Sequence, residues 1–414
     1  MLTGILLGLV ALAFVLIVIE DIIHVNKAKT TLFFGTLCWI LLFIFAEGDA
    51  SREHVQHQLE HNLLEIATLW LFLMSTMTFV AYLNSKGFIA QIVQRALPSQ
   101  LSERKLMFIV ASFAFVFSSF ADNVTATLVS IAVISSVKLE AAKKIRYGTL
   151  IIFAVNSGGV SLITGDVTTL MFFLADKVTI ANLLLLVVPA FFSVAVLALF
   201  LSRGLDQQLV VEKSKKPIAK TDITVAGIFV LTITGTLLLN VLYAIPPVLT
   251  FLFGLAVMFL IAQFLMRNKA AQSVINYVRE VEFETLLFFL GVLLLVGVLK
   301  EVNFLKNFTD LYAMLPPLQA NYLMGLSSAL IDNVPLTAAL LKADLVMTPG
   351  EWLLLTYATG VGGSLLIIGS AAGIIAMSKL KELTFGTYLK MGGYLLFCYS
   401  LGYAGVYLFG QFAS

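Results

Sequence analysis

The sequence predicts an all-α polytopic membrane protein, an inverted-topology repeat of two five-helix units, each with a re-entrant or short-span hairpin and a broken helix. Three observations predict it. Of the 414 residues, 60% are hydrophobic and only 12% are charged, about half the ~25% charged share of a soluble domain, and the mean hydropathy is +0.99. Apolar runs recur along the whole chain at about twenty residues, the length that crosses a hydrocarbon core of about 30 Å. Each half also carries an Asp-Asn pair in the middle of such a run, at 122–123 and 332–333. This composition excludes a soluble enzyme, a secreted disulfide scaffold and a disordered chain. The net charge of +2 gives no reason to expect a nucleic-acid partner. Cys38 and Cys398 lie in apolar runs outside any C-x-x-C pattern and read as buried apolar residues.

The elements follow in order. Span 2–19 has no basic leader and no small-x-small cleavage site, so it reads as a retained helix. Spans 30–46 and 63–83 come next, separated by a loop containing Glu53, His54, His57, Glu60 and His61. On a helix the three histidines would share a face, as a zinc site or pH sensor requires; a solvated loop is the simpler reading. Hairpin 106–137 carries Asp122-Asn123, broken helix 147–175 carries two glycine-rich stretches, and span 181–201 closes a first repeat over 1–202. Residues 203–220, with Lys213, Lys215, Lys216 and Pro217, form a polar linker, most simply an orientation signal. The second repeat, 221–414, runs through spans 221–240, 247–266 and 283–299, hairpin 312–341, broken helix 352–378 and span 391–410.

Lys and Arg choose between hairpins and single crossings, because they collect on the cytoplasmic side. With both Asp-Asn regions returning to their own side and both termini outside, only Arg52, Lys177, Lys300, Lys306 and Lys342 fall outside. The other 21 of the 26 basic residues are then cytoplasmic. Reading either region as a single crossing spoils this sorting. Each arm is about 16 residues, or roughly 24 Å as helix, short of the bilayer core, which favours re-entrant arms.

Self-similarity supports the repeat. Ser119–Val124 resembles Ala329–Val334, Glu65–Leu69 resembles Glu282–Leu286, and Gly158, Gly159 and Gly165 match Gly362, Gly363 and Gly369, all in the same order. The first hairpin opens to the cytoplasm and the second outward, the inverted arrangement from which many secondary transporters are built.

Ionisable groups deep in a membrane cost about 2.5–3.5 kcal/mol each on insertion scales and usually carry function. Asp122, Asp166 and Asp332 are placed deep, with no Lys, Arg or His deep enough to pair with them. Three acids without a fixed cation should bind a mobile one, a proton or a metal ion. Oxygen donors surround them: Asn123, Thr125 and Thr127; Ser327, Ser328, Asn333 and Thr337; Asn156, Ser157, Thr168 and Thr169; and Thr359, Ser364 and Ser370 in the second broken helix. Glycine-rich unwinding frees backbone carbonyls as well, and hard monovalent cations favour such oxygens. Any single Ser or Thr is as readily a helix-packing residue. At the offset that pairs the broken helices Ser370 stands opposite Asp166, so the site is biased to the first half. Glu65, Glu282 and Glu284 are expected at the starts of the helices preceding the hairpins, as a gate or proton-access group or simply as acids favoured at helix N-termini.

These residues resemble a known family. Ser-Ser-Phe-Ala-Asp-Asn-Val-Thr-Ala-Thr at 118–127, Asn-Ser-Gly-Gly-Val-Ser at 156–161, Thr-Gly-Asp-Val-Thr-Thr at 164–169, Ser-Ala-Leu-Ile-Asp-Asn-Val-Pro at 328–335 and Gly-Gly-Ser-Leu-Leu-Ile-Ile-Gly-Ser-Ala-Ala-Gly at 362–373 are similar to NhaD-type sodium/proton antiporters of the ion transporter superfamily. The resemblance covers essentially the whole chain. It implies exchange of Na⁺ or Li⁺ for H⁺ in a bacterial inner membrane and pH homeostasis. A homodimer is implied too, with a scaffold and a transport domain working as an elevator among membrane lipids. Carried over by position, the functional set is Asp122, Asn123, Asn156, Asp166, Thr168, Thr169, Ser328, Asp332, Asn333 and Ser364, to which the local pattern adds Ser157. No resident cofactor and no enzymatic reaction are implied. Na⁺ is expected at Asp122, Asp166 and Asp332. The nearest alternatives are a sodium-coupled dicarboxylate symporter or an arsenite exporter on the same fold. An intramembrane aspartyl protease is disfavoured, because Ile163-Thr164-Gly165-Asp166 lacks the first glycine of Gly-x-Gly-Asp.

Overall fold

The structure is a computed structural model, and it describes residues 2–18, 20, 25–135, 137, 139–210, 218–265, 275–278, 281 and 283–413. The first half contains α1 (Leu2–Val18), α2 (Lys27–Ile44), α3 (Asp49–Ser85), α4 (Phe88–Ala96), α5 (Glu103–Phe120), α6 (Asn123–Ser135), α7 (Ala141–Gly159), α8 (Val167–Leu174), α9 (Ile180–Leu184) and α10 (Val187–Leu201). The second contains α11 (Lys220–Tyr243), α12 (Pro247–Leu265), α13 (Phe283–Glu301), α14 (Lys306–Met314), α15 (Pro317–Ser328), α16 (Asn333–Leu341), α17 (Pro349–Gly362), α18 (Ala371–Lys379), α19 (Phe385–Leu389) and α20 (Gly392–Gly410). A two-stranded ribbon, β1 (Gln100–Ser102) against β2 (Gln208–Val210), is antiparallel with Gln100 opposite Val210 and ties the start of α5 to the linker. Six helical stretches among the described residues are long and apolar enough to cross a membrane: α2, α3, α9 with α10, α11, α13 and α20. This is a multi-pass membrane protein.

The helices are interrupted in both Asp-Asn regions and in both glycine-rich regions. Helices α5 and α6 part at Ala121-Asp122, and α15 and α16 at 329–332. Helices α7 and α8 are separated by 160–166, and α17 and α18 by 363–370. At nine residues α16 is about 14 Å long, too short to cross a bilayer core.

One expectation is corrected. Span 63–83 is the inner part of the 37-residue α3, which also takes in Glu53, His54, His57, Glu60 and His61. Those residues are helical, with Gln56 and Glu60 joined across one turn (2.8 Å), and helix is the cheaper state once an i→i−4 ladder already runs beneath them. Glu65 consequently lies in mid-helix, not at a helix start.

The helices pack in two groups that cut across the sequence halves. Helices α1, α2, α3, α11, α12 and α13 form one. Three polar side chains lock α13 into it: Trp39 Nε1 donates to Leu294 O (3.0 Å), Asn62 Nδ2 to Leu293 O (3.2 Å) and Trp70 Nε1 to Leu286 O (2.6 Å). Helices α5 to α10 and α15 to α20 form the other. Its close crossings depend on glycine: a Cβ at Gly158 would stand 2.0 Å from Phe115 O, and one at Gly362 would stand 2.2 Å from Gly325 O. These two glycines occupy matching places in the two broken helices.

Candidate functional site

Each deep aspartate is a helix N-cap. Asp122 Oδ1 accepts from Thr125 N (2.9 Å) and its Oδ2 from Thr125 Oγ1 (2.9 Å). Asp166 caps α8, with Oδ1 accepting from Thr168 N (2.9 Å). Asp332 caps α16, with Oδ1 accepting from Val334 N (3.3 Å). Capping by a polar side chain contributes about 1 kcal/mol, but it requires no charge. At the corresponding start of α18 the cap is Ser370. Capping alone therefore does not require a carboxylate at these three positions.

All three line one cavity of about 290 Å³ between the two helix groups. One wall is built from Asn26, Lys27 and Ala28 of the α2 start, Phe72, Leu73, Thr76 and Met77 of α3, and Glu284, Thr285, Phe288 and Phe289 of α13. The other is built from the chain breaks: 122–124, 163–167, 332–334 and the first turn of α18. Asp166 is the most enclosed of the three acids, 7% exposed. Its Oδ2 accepts from Asn123 Nδ2 (2.7 Å) and, more weakly, from Asn333 Nδ2 (3.4 Å). The asparagines of both Asp-Asn pairs thus converge on one carboxylate. The acids share a cavity without closing on a single point. Among the described residues no three of His, Cys, Asp and Glu gather as a metal-ligand set, and this holds equally for His54, His57 and His61.

Behind the cavity wall lie oxygens without partners. Asn156 Nδ2 donates to Ile152 O (2.8 Å) and to Ser370 Oγ (3.1 Å), which joins the two broken helices, while its Oδ1 has no hydrogen-bond partner. The fully buried Ser157 Oγ and Thr168 Oγ1 have none either, and neither do Ser161 Oγ and Thr337 Oγ1. Buried polar atoms are ordinarily satisfied, so each of these oxygens has spare coordinating capacity. Thr169, Ser328 and Ser364 are spent on backbone carbonyls: Gly159 O (3.2 Å), Thr359 O (2.7 Å) and Val361 O (2.6 Å).

The expectation that no fixed cation reaches the aspartates is corrected. Lys27 Nζ lies 3.2 Å from Asp332 Oδ2 and 4.5 Å from the centre of the Phe288 ring. Lys27 heads a helix whose start turns in to the cavity, where a count of basic residues per loop sees only an orientation signal. Glu20 and Asn26 were missed as well, because nothing along the chain shows that this helix start meets the cavity. Asn26 caps α2 through Oδ1 and donates from Nδ2 to Glu284 Oε2 (2.6 Å), and Glu20 Oε1 accepts from Lys27 N (3.0 Å). Of the expected gate residues Glu284 lines the cavity, and Glu282 lies outside the described residues. Glu65 is elsewhere, 3.0 Å from Lys342 Nζ and 3.3 Å from His61 Nδ1, with Lys342 also bonded to Asn62.

The sequence profile of the CitMHS family, described as citrate transporter, matches residues 1–373. The chain is 31% identical to the Na⁺/H⁺ antiporter NhaD of Vibrio cholerae over 94% of its length and 88% of that protein. It is 32% identical to NhaD of Vibrio parahaemolyticus (92% and 98%) and 31% identical to NhaD of Alkalimonas amylolytica (100% and 90%). The chain belongs to the CitMHS family and is an NhaD-type member of it. An NhaD-type protein is a transporter and not an enzyme. In this NhaD-type chain the described residues lining the cavity include five carboxylates, Glu20, Asp122, Asp166, Glu284 and Asp332, against one base, Lys27.

Proposed function

We propose that the protein exchanges Na⁺ or Li⁺ for H⁺ across a bacterial inner membrane, with Asp166 at the centre of the exchange site. The observation that carries this reading is Asp166 itself, a buried carboxylate held by asparagines from both halves at the wall of an acidic cavity. Na⁺ and H⁺ compete for it. Asn123, Thr168 and the free oxygens of Asn156 and Ser157 supply the neutral ligands that a hard monovalent cation favours, and Asp122 and Asp332 hold cations in the cavity. Thr169, Ser328 and Ser364 fix the broken-helix backbone around the site, and Asn333 orients Asp166. Glu284, with Glu20, draws cations to the mouth.

Exchange requires that the empty, charged site not cross the bilayer. A bare carboxylate in hydrocarbon costs several kcal/mol, so only the form neutralised by Na⁺ or H⁺ changes access. The group built from α5–α10 and α15–α20 is the transport domain and moves as an elevator against the scaffold of α1–α3 and α11–α13. The two halves are an inverted repeat with re-entrant hairpins at α5–α6 and α15–α16. The termini face outside, the cavity mouth at Asn26 and Glu284 faces the cytoplasm, and the lipid-embedded scaffold pairs two copies into a homodimer.

The similarity to NhaD antiporters supports this reading, and so does the charge of the cavity, which repels citrate and other polyanions. The test is reconstitution into proteoliposomes containing a pH dye. Addition of Na⁺ or Li⁺ is expected to drive proton movement in the opposite direction, and labelled citrate or succinate is expected to stay outside. Sodium-dependent uptake of the anion without proton flux would replace exchange by symport.

A further inference from the structure

Lys27 is placed against the electrostatic preference of its own helix. It is the first residue of α2, where the exposed amides make the helix end positive and favour acids. Its side chain is 21% exposed and turns to Asp332, which is 10% exposed. The two residues belong to different helix groups, Lys27 to that of α2 and α13, Asp332 to that of the broken helices. The contact therefore spans the cavity. Its base is held rigidly: Glu20 takes the Lys27 amide at 3.0 Å, and Asn26 holds Glu284 at 2.6 Å. Among the described residues the charged groups that share the ammonium's cavity are Glu20, Glu284 and Asp332, with Asp122 and Asp166. The Phe288 ring at 4.5 Å stabilises a cation there.

We propose that Lys27 is a tethered competitor for the transported cation: its ammonium neutralises Asp332, and an incoming cation must displace it before Asp332 can contribute to binding. Because the pair bridges the two groups, the same displacement unfastens the transport domain from the scaffold, and loading is linked to movement. This rests on the exchange reading above and adds a specificity-determining residue to it. A cation that cannot outcompete the ammonium leaves the bridge closed.

The test is sodium-driven proton flux in proteoliposomes carrying the full chain, measured against Na⁺ concentration. Lys27→Met keeps the aliphatic stem and removes the charge. It is expected to lower the apparent KM for Na⁺ by roughly 1.5-fold to fivefold, the range of a partly exposed ion pair, while Lys27→Arg stays near the wild type. Lys27→Cys should behave like the Met variant and return toward the wild-type KM after alkylation with 2-bromoethylamine, which forms the thioether analogue of lysine and releases bromide. Cys38 and Cys398 are fully buried and will not react. A pair that is only a strut would lower thermal stability in Lys27→Met and leave the KM for Na⁺ unchanged; that outcome, or a KM that rises, overturns the proposal. If the Met variant fails to accumulate, the Cys variant before and after modification decides in the same terms. Wild-type vesicles without sodium-driven flux would instead overturn the exchange reading.

Discussion

Replacing Asp166 by asparagine separates the structural role of this carboxylate from the transport role proposed for it. In the native site Oδ1 accepts from Thr168 N at 2.9 Å and Oδ2 accepts from Asn123 Nδ2 at 2.7 Å and Asn333 Nδ2 at 3.4 Å. An asparagine keeps the cap through its oxygen and turns an amide nitrogen toward two other amide nitrogens. A charge-assisted bond is lost and a buried donor is left facing a donor, each worth about 1–3 kcal/mol. Asn123 can relieve part of this by turning its amide over, because Ser118 Oγ, now donating to Asn123 Oδ1 at 2.8 Å, can accept as well. The expected net cost of Asp166→Asn is about 1–3 kcal/mol, read as earlier thermal unfolding in detergent, with loss of sodium-driven proton flux. Asp122→Asn is milder, within about 1 kcal/mol, because Thr125 offers a hydroxyl that serves as donor or acceptor. The exchange of roles in Asn123→Asp with Asp166→Asn puts a carboxylate back opposite an amide. That double variant should recover at least half of the lost stability, a coupling that a double-mutant cycle isolates. Additive single costs, or full exchange in Asp166→Asn, would refute the reasoning.

Two further predictions concern the body that carries the site. Gly158→Ala and Gly362→Ala each force a methyl group into a backbone carbonyl 2.0 or 2.2 Å away; each should destabilise by about 1–3 kcal/mol or more and reduce folded protein recovered from membranes. At the start of α7, Lys144 lies 2.8 Å from Glu382 and holds that carboxyl below its usual range. A depressed carboxylate stabilises above its unfolded pKa and loses that contribution as pH falls through the folded value. Stability measured from pH 6 down through the acid range should therefore fall less steeply in Glu382→Gln than in the wild type.

Much of the site was legible because its residues violate a local rule. An aspartate in an apolar run is conspicuous whatever surrounds it, and Asp122, Asp166 and Asp332 all line the cavity. Glycine runs at 158–159 and 362–363 likewise marked the true chain breaks. Lys27 was not legible as a site residue, since a basic residue at the end of a span obeys the rule for cytoplasmic loops. Glu65 was misplaced because the polar stretch before it resembles a loop, although α3 runs through it without interruption.

The sequence by itself determined the multi-pass membrane class, because hydrocarbon imposes its requirement on every residue separately, through length and polarity. Only the tertiary structure decided which groups meet. The contacts of Asp332 with Lys27, of Asp166 with Asn333 and of Lys342 with Glu65 join residues 305, 167 and 277 positions apart. The helix groups that face each other across the cavity are each drawn from both halves of the chain. Partners such as these are set by packing between helices, and periodicity along one helix fixes which side is polar without fixing what stands opposite it.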